Sequence, residues 1–298
     1  KQMKILVKIS LLILTGTAVI SCQKIDSFMF ENIAVEEYYL DDYTGEGEVF
    51  LDSIYDISQD HIQELEFESK EKTIYGIYVG DINRISQDTV ILYCHGNTGN
   101  IDYYWGRQKL LANLGGKTRF GILMIDYKGF GKSEGTPTEG GLVEDMDAGL
   151  EWLKKEGLTS DRLIIYGFSI GSYPATYLSS KKDGALVPSK LILENPFAST
   201  KVMVNDASKL SMKNNYYTST DYEVADLIKN VTQPFLLMHG ENDAFLSIKT
   251  HGEIVAKNYG GKDSDKTFKK IPGADHSDLP YIYGYENYLK LVLEFIEK

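Results

Sequence analysis

The residues best suited to chemistry in this sequence lie in one short motif, Gly167-Phe168-Ser169-Ile170-Gly171. An apolar run at 163–166 precedes the motif, and a helix-like stretch at 172–181 follows it. A serine between two glycines at a strand-to-helix turn is typical of a nucleophile elbow. The sharp turn would place the Ser169 hydroxyl at the positive N-terminal end of the helix, where an attacking oxygen is useful. We therefore predict that Ser169 is a nucleophile.

A second stretch, Gly131-Lys132-Ser133-Glu134-Gly135, has the same pattern in a different setting. No apolar run leads directly into it, and Thr136-Pro137 follow it, so the stretch is typical of a loop. It also lacks two glycines that phosphate-binding motifs need. A Walker loop requires glycine where Asp126 stands, and a dinucleotide fingerprint requires glycine where Glu134 stands. The stretch therefore predicts no nucleotide site.

A serine nucleophile requires a histidine base and a carboxylate that orients the histidine. In an open α/β sheet such groups gather at the carboxyl ends of the strands. Asp243 follows the apolar run at 234–238, and His276 follows the last apolar run at 267–271. The order serine, aspartate, histidine along the chain is one that such triads adopt. We predict that His276 is the general base and that Asp243 orients it.

Other residues offer alternatives for these roles. Asp275 and Asp278 could each be the acid, although their closeness in sequence to His276 counts against them. Asp243 could instead be a turn residue that caps a helix starting near Ser247. Of the other histidines, His95 and His239 are interpreted as hydrogen-bonding residues at strand ends, His61 precedes the core, and His251 falls inside a helix-like segment.

Strand-like and helix-like segments alternate along most of the chain. A hairpin is predicted at 65–68 and 74–79, followed by strands at 90–94, 121–125, 163–166, 190–193, 234–238 and 267–271. Helix-like segments lie at 103–114, 140–156, 172–181, 247–259 and 285–298. This alternation predicts an α/β fold whose mostly parallel sheet, of about eight strands, carries helices on both faces. Residues 198–233 are too few for a whole cap domain and predict a small cap.

Composition excludes some classes of function. The chain has 298 residues, of which 43% are apolar, so its length permits one large domain or two small ones with a substantial core. The net charge of −12 argues against a nucleic-acid partner and against adsorption to anionic lipid through basic residues. No metal-ligand spacing occurs, so we expect no metal and no other cofactor.

The N-terminal residues resemble a bacterial lipoprotein signal peptide. Lys1, Lys4 and Lys8 are followed by an apolar run at 9–20, which ends in the lipobox-like sequence Val19-Ile20-Ser21-Cys22. The resemblance implies removal of residues 1–21 and a lipid anchor on Cys22 in the bacterial cell envelope, on a periplasmic or surface face of a membrane. An ordinary signal peptide or an uncleaved anchor helix remains the alternative. Residues 22–62 are then a tether and N-terminal segment, and 63–298 the catalytic domain.

Five ordered blocks give the chain a resemblance to the α/β-hydrolase superfamily over residues 65–298. They are His95-Gly96-Asn97-Thr98-Gly99-Asn100, the segment 126–135, the elbow at 167–171, His239-Gly240-Glu241-Asn242-Asp243 and Ala274-Asp275-His276. Within that superfamily the chain is most similar to abhydrolase-domain and serine-aminopeptidase-like members. The resemblance implies a Ser169, His276 and Asp243 triad. It also implies an oxyanion hole made by the backbone N–H groups of Ile170 and Asn97.

The resemblance implies a serine hydrolase that cleaves carboxylic esters or thioesters of modest size. A serine peptidase with the same triad, or a lipoprotein that binds a ligand without catalysis, are the alternatives. Tyr103, Tyr104 and Trp105 lie close in sequence to the oxyanion loop and are candidates for an acyl or aromatic pocket. They could equally form the packed face of the first crossover helix.

The lipobox-like sequence predicts that Cys22 is the mature N-terminus and carries acyl chains. Mass spectrometry of protein purified from its native membrane should find a first residue Cys22 with added diacylglyceryl and N-acyl mass. An unmodified Cys22, or a mature terminus elsewhere, would contradict this prediction.

Overall fold

The computed structural model describes residues 23–24, 29–43, 45, 49, 51–211, 216–217 and 220–298, and an eight-stranded sheet lies at the centre of these residues. The strands are β1 (Ile62–Ser69), β2 (Lys72–Val79), β3 (Val90–Cys94), β4 (Gly121–Ile125), β5 (Leu163–Phe168), β6 (Lys190–Glu194), β7 (Phe235–Gly240) and β8 (Lys266–Ile271). Their order across the sheet is β1-β2-β4-β3-β5-β6-β7-β8. Strand β2 runs antiparallel to both of its neighbours, and the other pairs are parallel. The predicted mostly parallel sheet is confirmed.

Helices cover both faces of the sheet. Their bounds are α1 (Ile101–Ala112), α2 (Glu139–Lys155), α3 (Ser172–Ser180), α4 (Thr200–Ser211), α5 (Val224–Leu227), α6 (Gly252–Asn258), α7 (Leu279–Tyr283) and α8 (Tyr285–Ile296). The apolar side chains of α2, α3 and α6 pack in one layer, and those of α1 and α8 pack in the other. The prediction of a helix over 247–259 was too long, because the chain first makes a turn in which His251 N–H donates to the Ser247 carbonyl.

The central strands supply both layers of the core. In β3, Val90, Leu92 and Cys94 face one layer, whereas Ile91 and Tyr93 face the other. Because both faces are covered by helices, such strands are apolar throughout, which is the signal that their sequence shows. Cys94 is a free, buried thiol, and burial raises its pKa well above the usual range.

The elbow motif forms a tight turn between β5 and α3. The backbone of Ser169 is left-handed, with φ of 52°, a strained conformation for a residue with a side chain. A Cβ atom on Gly167 would lie 2.6 Å from the Gly171 carbonyl oxygen, and one on Gly171 would lie 2.1 Å from the Cys94 carbonyl oxygen. The close approach of neighbouring backbone therefore requires glycine at both positions.

The segment before the sheet packs against the domain. Glu31–Asn32 pair in parallel with Thr98–Gly99, and Ala34 forms a bridge to Gly131. The Tyr38 hydroxyl donates to Asp126 Oδ2 at 2.7 Å. Residues 31–35 are thus held by backbone pairing and Tyr38 by its side chain, which differs from their interpretation as part of a tether. Backbone pairing of this kind leaves no periodic side-chain pattern in the sequence.

Some predicted features lie outside the described residues. These are the signal segment 1–21, Cys22, and positions 212–215 and 218–219 of the predicted cap 198–233. Within the described part of the chain, none of the helices combines the length and apolar character that crossing a bilayer requires.

The packing at the elbow predicts opposite effects for two glycine substitutions. Gly171→Ala should destabilise the protein by about 3 kcal/mol or more, since the new methyl group overlaps the backbone of β3. Gly140→Ala should stabilise it by roughly 0.5–1 kcal/mol, because a Cβ there meets no atom within 4 Å and alanine favours the helix. Urea denaturation curves measure both changes. Equal midpoints for the two variants would contradict the predicted overlap.

Candidate active site

Three side chains from different loops meet at the carboxyl edge of the sheet. Ser169 lies at the elbow after β5, Asp243 lies in the loop after β7, and His276 lies in the loop after β8. The His276 Nε2 atom is 2.9 Å from Ser169 Oγ, and its Nδ1 atom is 2.7 Å from Asp243 Oδ2. The structure therefore brings together the three residues that the sequence predicts as a triad.

The direction of these hydrogen bonds follows from their chemistry. An ionised carboxylate can only accept, so the N–H of His276 lies on Nδ1 and donates to Asp243. The Nε2 atom is then free to accept the hydroxyl proton of Ser169. In this arrangement the imidazole can take a proton from the serine oxygen, and the carboxylate can stabilise the imidazolium that forms.

Asp243 has two separate sets of contacts. Its Oδ1 atom accepts from the backbone N–H groups of Phe245, at 3.0 Å, and Leu246, at 2.6 Å. Its Oδ2 atom is the one that faces His276. The turn-forming alternative and the orienting role are therefore compatible, because each uses a different oxygen. The turn fixes the carboxylate in the rotamer that reaches the imidazole.

The alternative acids stabilise the histidine loop through backbone contacts. Asp275 Oδ1 accepts from the N–H groups of Ala244, at 3.0 Å, and His276, at 2.8 Å. Asp278 Oδ1 accepts from the N–H of Asp275 at 2.6 Å. The bond to the imidazole ring comes instead from Asp243. Asp275 and Asp278 shape the loop that carries His276.

Two other histidines near the site are buried and serve as hydrogen-bonding residues. His239 Nε2 lies 2.8 Å from the Leu246 carbonyl oxygen, and burial lowers the pKa of this imidazole. His251 Nδ1 accepts from the Ala198 N–H at 2.8 Å, and burial lowers its pKa to about 4. Both rings are therefore neutral at neutral pH. They fix the loops on either side of Asp243 and at the start of the cap.

The predicted oxyanion residues lie beside the nucleophile. Asn97 and Ile170 line the same cavity as Ser169. The loop that carries Asn97 is held by the N-terminal segment, since the Glu31 N–H donates to the Asn97 carbonyl at 3.2 Å. The ring of His95, at the start of this loop, lies with Nδ1 2.8 Å from the Gly96 carbonyl oxygen. The role of the Asn97 and Ile170 N–H groups as oxyanion donors remains a prediction.

The cavity at Ser169 is small and mostly apolar. It has a volume of about 70 Å³. Its lining residues are Met29, Asn97, Ser169, Ile170, Phe197, Met203, Tyr222, Phe245 and Leu246. The walls beyond the elbow and the Asn97 loop come from the N-terminal segment, the loop after β6, the cap and the loop after β7. Most of these wall residues could not be found from the sequence, because side chains from such distant segments share no local motif.

The aromatic residues of α1 do not line this cavity, which corrects the predicted pocket of Tyr103, Tyr104 and Trp105. Tyr104 and Trp105 are buried in the core layer between α1 and the sheet. The Trp105 indole N–H donates to Asp41 Oδ1 at 2.9 Å. The alternative interpretation, a packed face of the first crossover helix, fits these contacts. Nearness in sequence to the oxyanion loop gave no information about which face of α1 they occupy.

Known proteins share this architecture. A family model described as alpha/beta hydrolase fold matches residues 89–226. The chain is 27% identical over 221 residues to the alpha/beta hydrolase domain-containing protein WAV2 of Arabidopsis thaliana, and the match covers 70% of each chain. It is 26% identical over 274 residues to the uncharacterized protein YfhR of Escherichia coli K12, covering 90% of this chain and 89% of that one. The fold matches the Pyrococcus furiosus esterase Pf2001 with a TM-score of 0.62 and 17% identity, over 79% of this chain and 91% of that one.

The geometry predicts which carboxylate matters for activity. Asp243→Asn should lower kcat by about four orders of magnitude, since an amide at this position favours the wrong imidazole tautomer. Asp275→Asn should lower it far less, because Asp275 contacts the backbone. Steady-state kinetics of the two variants make the comparison. A larger loss of kcat in Asp275→Asn than in Asp243→Asn would show that Asp243 is not the orienting residue.

Proposed function

We propose that this chain, which belongs to the α/β-hydrolase superfamily, is a serine hydrolase that cleaves small carboxylic esters or thioesters. The observation that carries the proposal is the hydrogen-bonded series from Ser169 Oγ through His276 to Asp243, at the wall of an apolar cavity. The structurally similar Pyrococcus furiosus protein Pf2001 is an esterase, which supports the same class of reaction.

The proposed reaction has two halves. Ser169 Oγ attacks the acyl carbonyl carbon while His276 Nε2 takes the hydroxyl proton. The backbone N–H groups of Ile170 and Asn97 stabilise the oxyanion, and His276 then gives its proton to the departing alcohol or thiol. Water attacks the acyl-enzyme with His276 again as the base, which releases the carboxylic acid and regenerates the serine. Asp243 remains ionised throughout and stabilises the imidazolium.

The lining of the cavity favours an ester or thioester over an aminopeptidase substrate. A site for a substrate amine requires an acidic side chain close to the nucleophile. The described residues that line the cavity at Ser169 include no acidic side chain, and most are apolar. Such walls suit an uncharged acyl group, which gains free energy when it leaves water. The completed triad also argues against a lipoprotein that only binds a ligand.

The residues around Cys22 also bear on where the enzyme acts. The lipobox-like sequence supports an anchor on Cys22, and the next residues, Gln23–Lys24, pair with Tyr216–Tyr217 of the cap. The residue that follows Cys22 in the sequence therefore pairs with the cap. We propose an envelope enzyme whose cap side is held near the membrane.

Two serine substitutions test the proposed reaction. Ser169→Ala should reduce turnover of p-nitrophenyl esters by roughly four to six orders of magnitude and abolish labelling by a fluorophosphonate. Ser133→Ala should leave turnover nearly unchanged, because Ser133 Oγ bridges the Asp126 carbonyl and the Tyr75 N–H within the fold. Full labelling of Ser169→Ala, or loss of turnover in Ser133→Ala alone, would reject Ser169 as the nucleophile.

The small cavity predicts a limit on acyl length. Each buried methylene contributes about 0.8 kcal/mol, so kcat/KM should rise by about fourfold per carbon for the first few carbons. Longer chains have no further apolar surface to occupy, so the increase should then stop. A series of p-nitrophenyl esters measures this profile.

A variant of one wall residue sharpens this test. Met29→Ala enlarges the cavity and should move the preferred ester to a longer chain. Ile33→Ala is the matched control, since Ile33 belongs to the same segment but is exposed. A steady rise in kcat/KM of the unmodified enzyme out to about sixteen carbons would refute the short pocket and favour a lipase-like enzyme.

A further inference from the structure

A buried ion pair lies behind the triad and takes no part in the chemistry described above. Arg107 of α1 and Glu194, the last residue of β6, are 2.6 Å apart between Nη1 and Oε1. Their side chains are 2% and 0% exposed. A buried ion pair is weak evidence for stability, because the cost of removing two charges from water offsets most of their attraction. Its further contacts indicate another role.

The Arg107 guanidinium contacts the sequence neighbours of two triad residues. Its Nη2 atom donates to the Ser277 carbonyl at 2.6 Å, directly after His276. Its central carbon lies 4.0 Å from the centre of the Phe168 ring, directly before Ser169. One rigid planar group therefore spans the distance between the loop of the base and the elbow of the nucleophile.

Asn195 makes the corresponding connection to the loop of the acid. Its backbone is left-handed, with φ of 43°. The Nδ2 group donates to the His276 carbonyl at 2.6 Å, and Oδ1 accepts from the Gly240 N–H at 2.8 Å. Gly240 ends β7, the strand that leads to Asp243. The side chain thus joins two of the loops that carry the triad.

Glu194 is itself held by hydrogen bonds to its second oxygen. The Tyr166 and Tyr288 hydroxyls donate to Glu194 Oε2, the latter at 3.0 Å. Burial raises the pKa of both phenols well above the usual range, so they remain donors at all ordinary pH values. Tyr166 lies on β5, the strand that ends at the elbow. The carboxylate is therefore fixed to the strand that leads to Ser169.

We infer that Arg107, Glu194 and Asn195, termed the support cluster, are positioning residues that set the distance between His276 and Ser169. This inference rests on the proposed function. Both consecutive carbonyls of the histidine loop, at 276 and 277, accept hydrogen bonds from the cluster. These bonds fix the backbone from which the imidazole projects. A displacement of about 1 Å in a catalytic group can cost roughly a hundredfold in rate.

Asn195→Gly is the most informative variant. Glycine adopts a positive φ without strain, so the substitution removes the side-chain hydrogen bonds to Asp275, His276 and Gly240 and leaves the backbone unchanged. We expect kcat for a short p-nitrophenyl ester to fall by roughly tenfold to a hundredfold, with KM within about twofold of the unmodified enzyme. The rate of fluorophosphonate labelling should fall in parallel, while the final fraction of labelled enzyme stays complete.

Arg107→Gln is the second arm, and Lys128→Gln is its matched control. Lys128 pairs with the buried carboxylate of Asp145 and lies 2.7 Å from Ser69 Oγ, contacts that do not involve the triad loops. Both substitutions leave a buried carboxylate without its cation and should lower the melting temperature. Only Arg107→Gln should lower kcat at a temperature where both variants are folded.

The outcomes separate this inference from the proposed function. An unchanged kcat in Asn195→Gly, or equal losses of kcat in Arg107→Gln and Lys128→Gln, would overturn the positioning role. Should Arg107→Gln fail to fold, the kinetics of Asn195→Gly decide the question alone. An unmodified enzyme that neither hydrolyses esters nor reacts with the fluorophosphonate would reject the proposed function itself.

Discussion

The left-handed backbone of Ser169 is the constraint on which the rest of this structure depends. A residue with a side chain in that conformation costs about 1–3 kcal/mol, which the surrounding fold must offset. Here the elbow is pressed against the end of β3 so closely that Gly171 has no space for a Cβ atom. Strand β3 ends at this contact and strand β5 leads into the elbow. Both strands are buried, and they pair with each other in parallel. The sheet and its two helical layers thus hold one strained serine in place.

The same edge of the sheet must fix two further loops relative to that serine. Asp243 is fixed by a turn whose N–H groups bind one of its oxygens. His276 lies on a loop whose carbonyls accept hydrogen bonds from the Asn195 and Arg107 side chains. The loop that carries Asn97 is held by backbone pairing with the N-terminal segment. The backbone groups that hold Asp243 Oδ1 and the histidine loop leave Asp243 Oδ2 and the His276 ring free to bond each other.

Much of the fold could be predicted because buried parallel strands are short apolar runs, which are visible directly in the sequence. The three residues that meet in the structure could be found because strand ends are local features. The cavity could not, since Met29, Met203 and Tyr222 become neighbours only through the tertiary fold.

Two further features show where local patterns carry too little information. Glu194 and Asn195 follow an apolar run just as Asp243 does, but a buried carboxylate and amide form no recognisable motif. The α1 aromatic residues could not be assigned to a face of the helix. Apolar side chains are expected both where the helix packs on the sheet and where it borders a loop, so their type does not distinguish the two.

The pairing of Glu31–Asn32 with Thr98–Gly99 has a consequence for where a recombinant fragment of the protein should begin. A recombinant fragment that starts at β1 would contain every triad residue and every strand of the central sheet. It would nevertheless lack Met29 from the cavity wall and the Glu31 N–H that binds the Asn97 carbonyl. The practical boundary of the enzyme therefore lies upstream of Met29, well before the first strand.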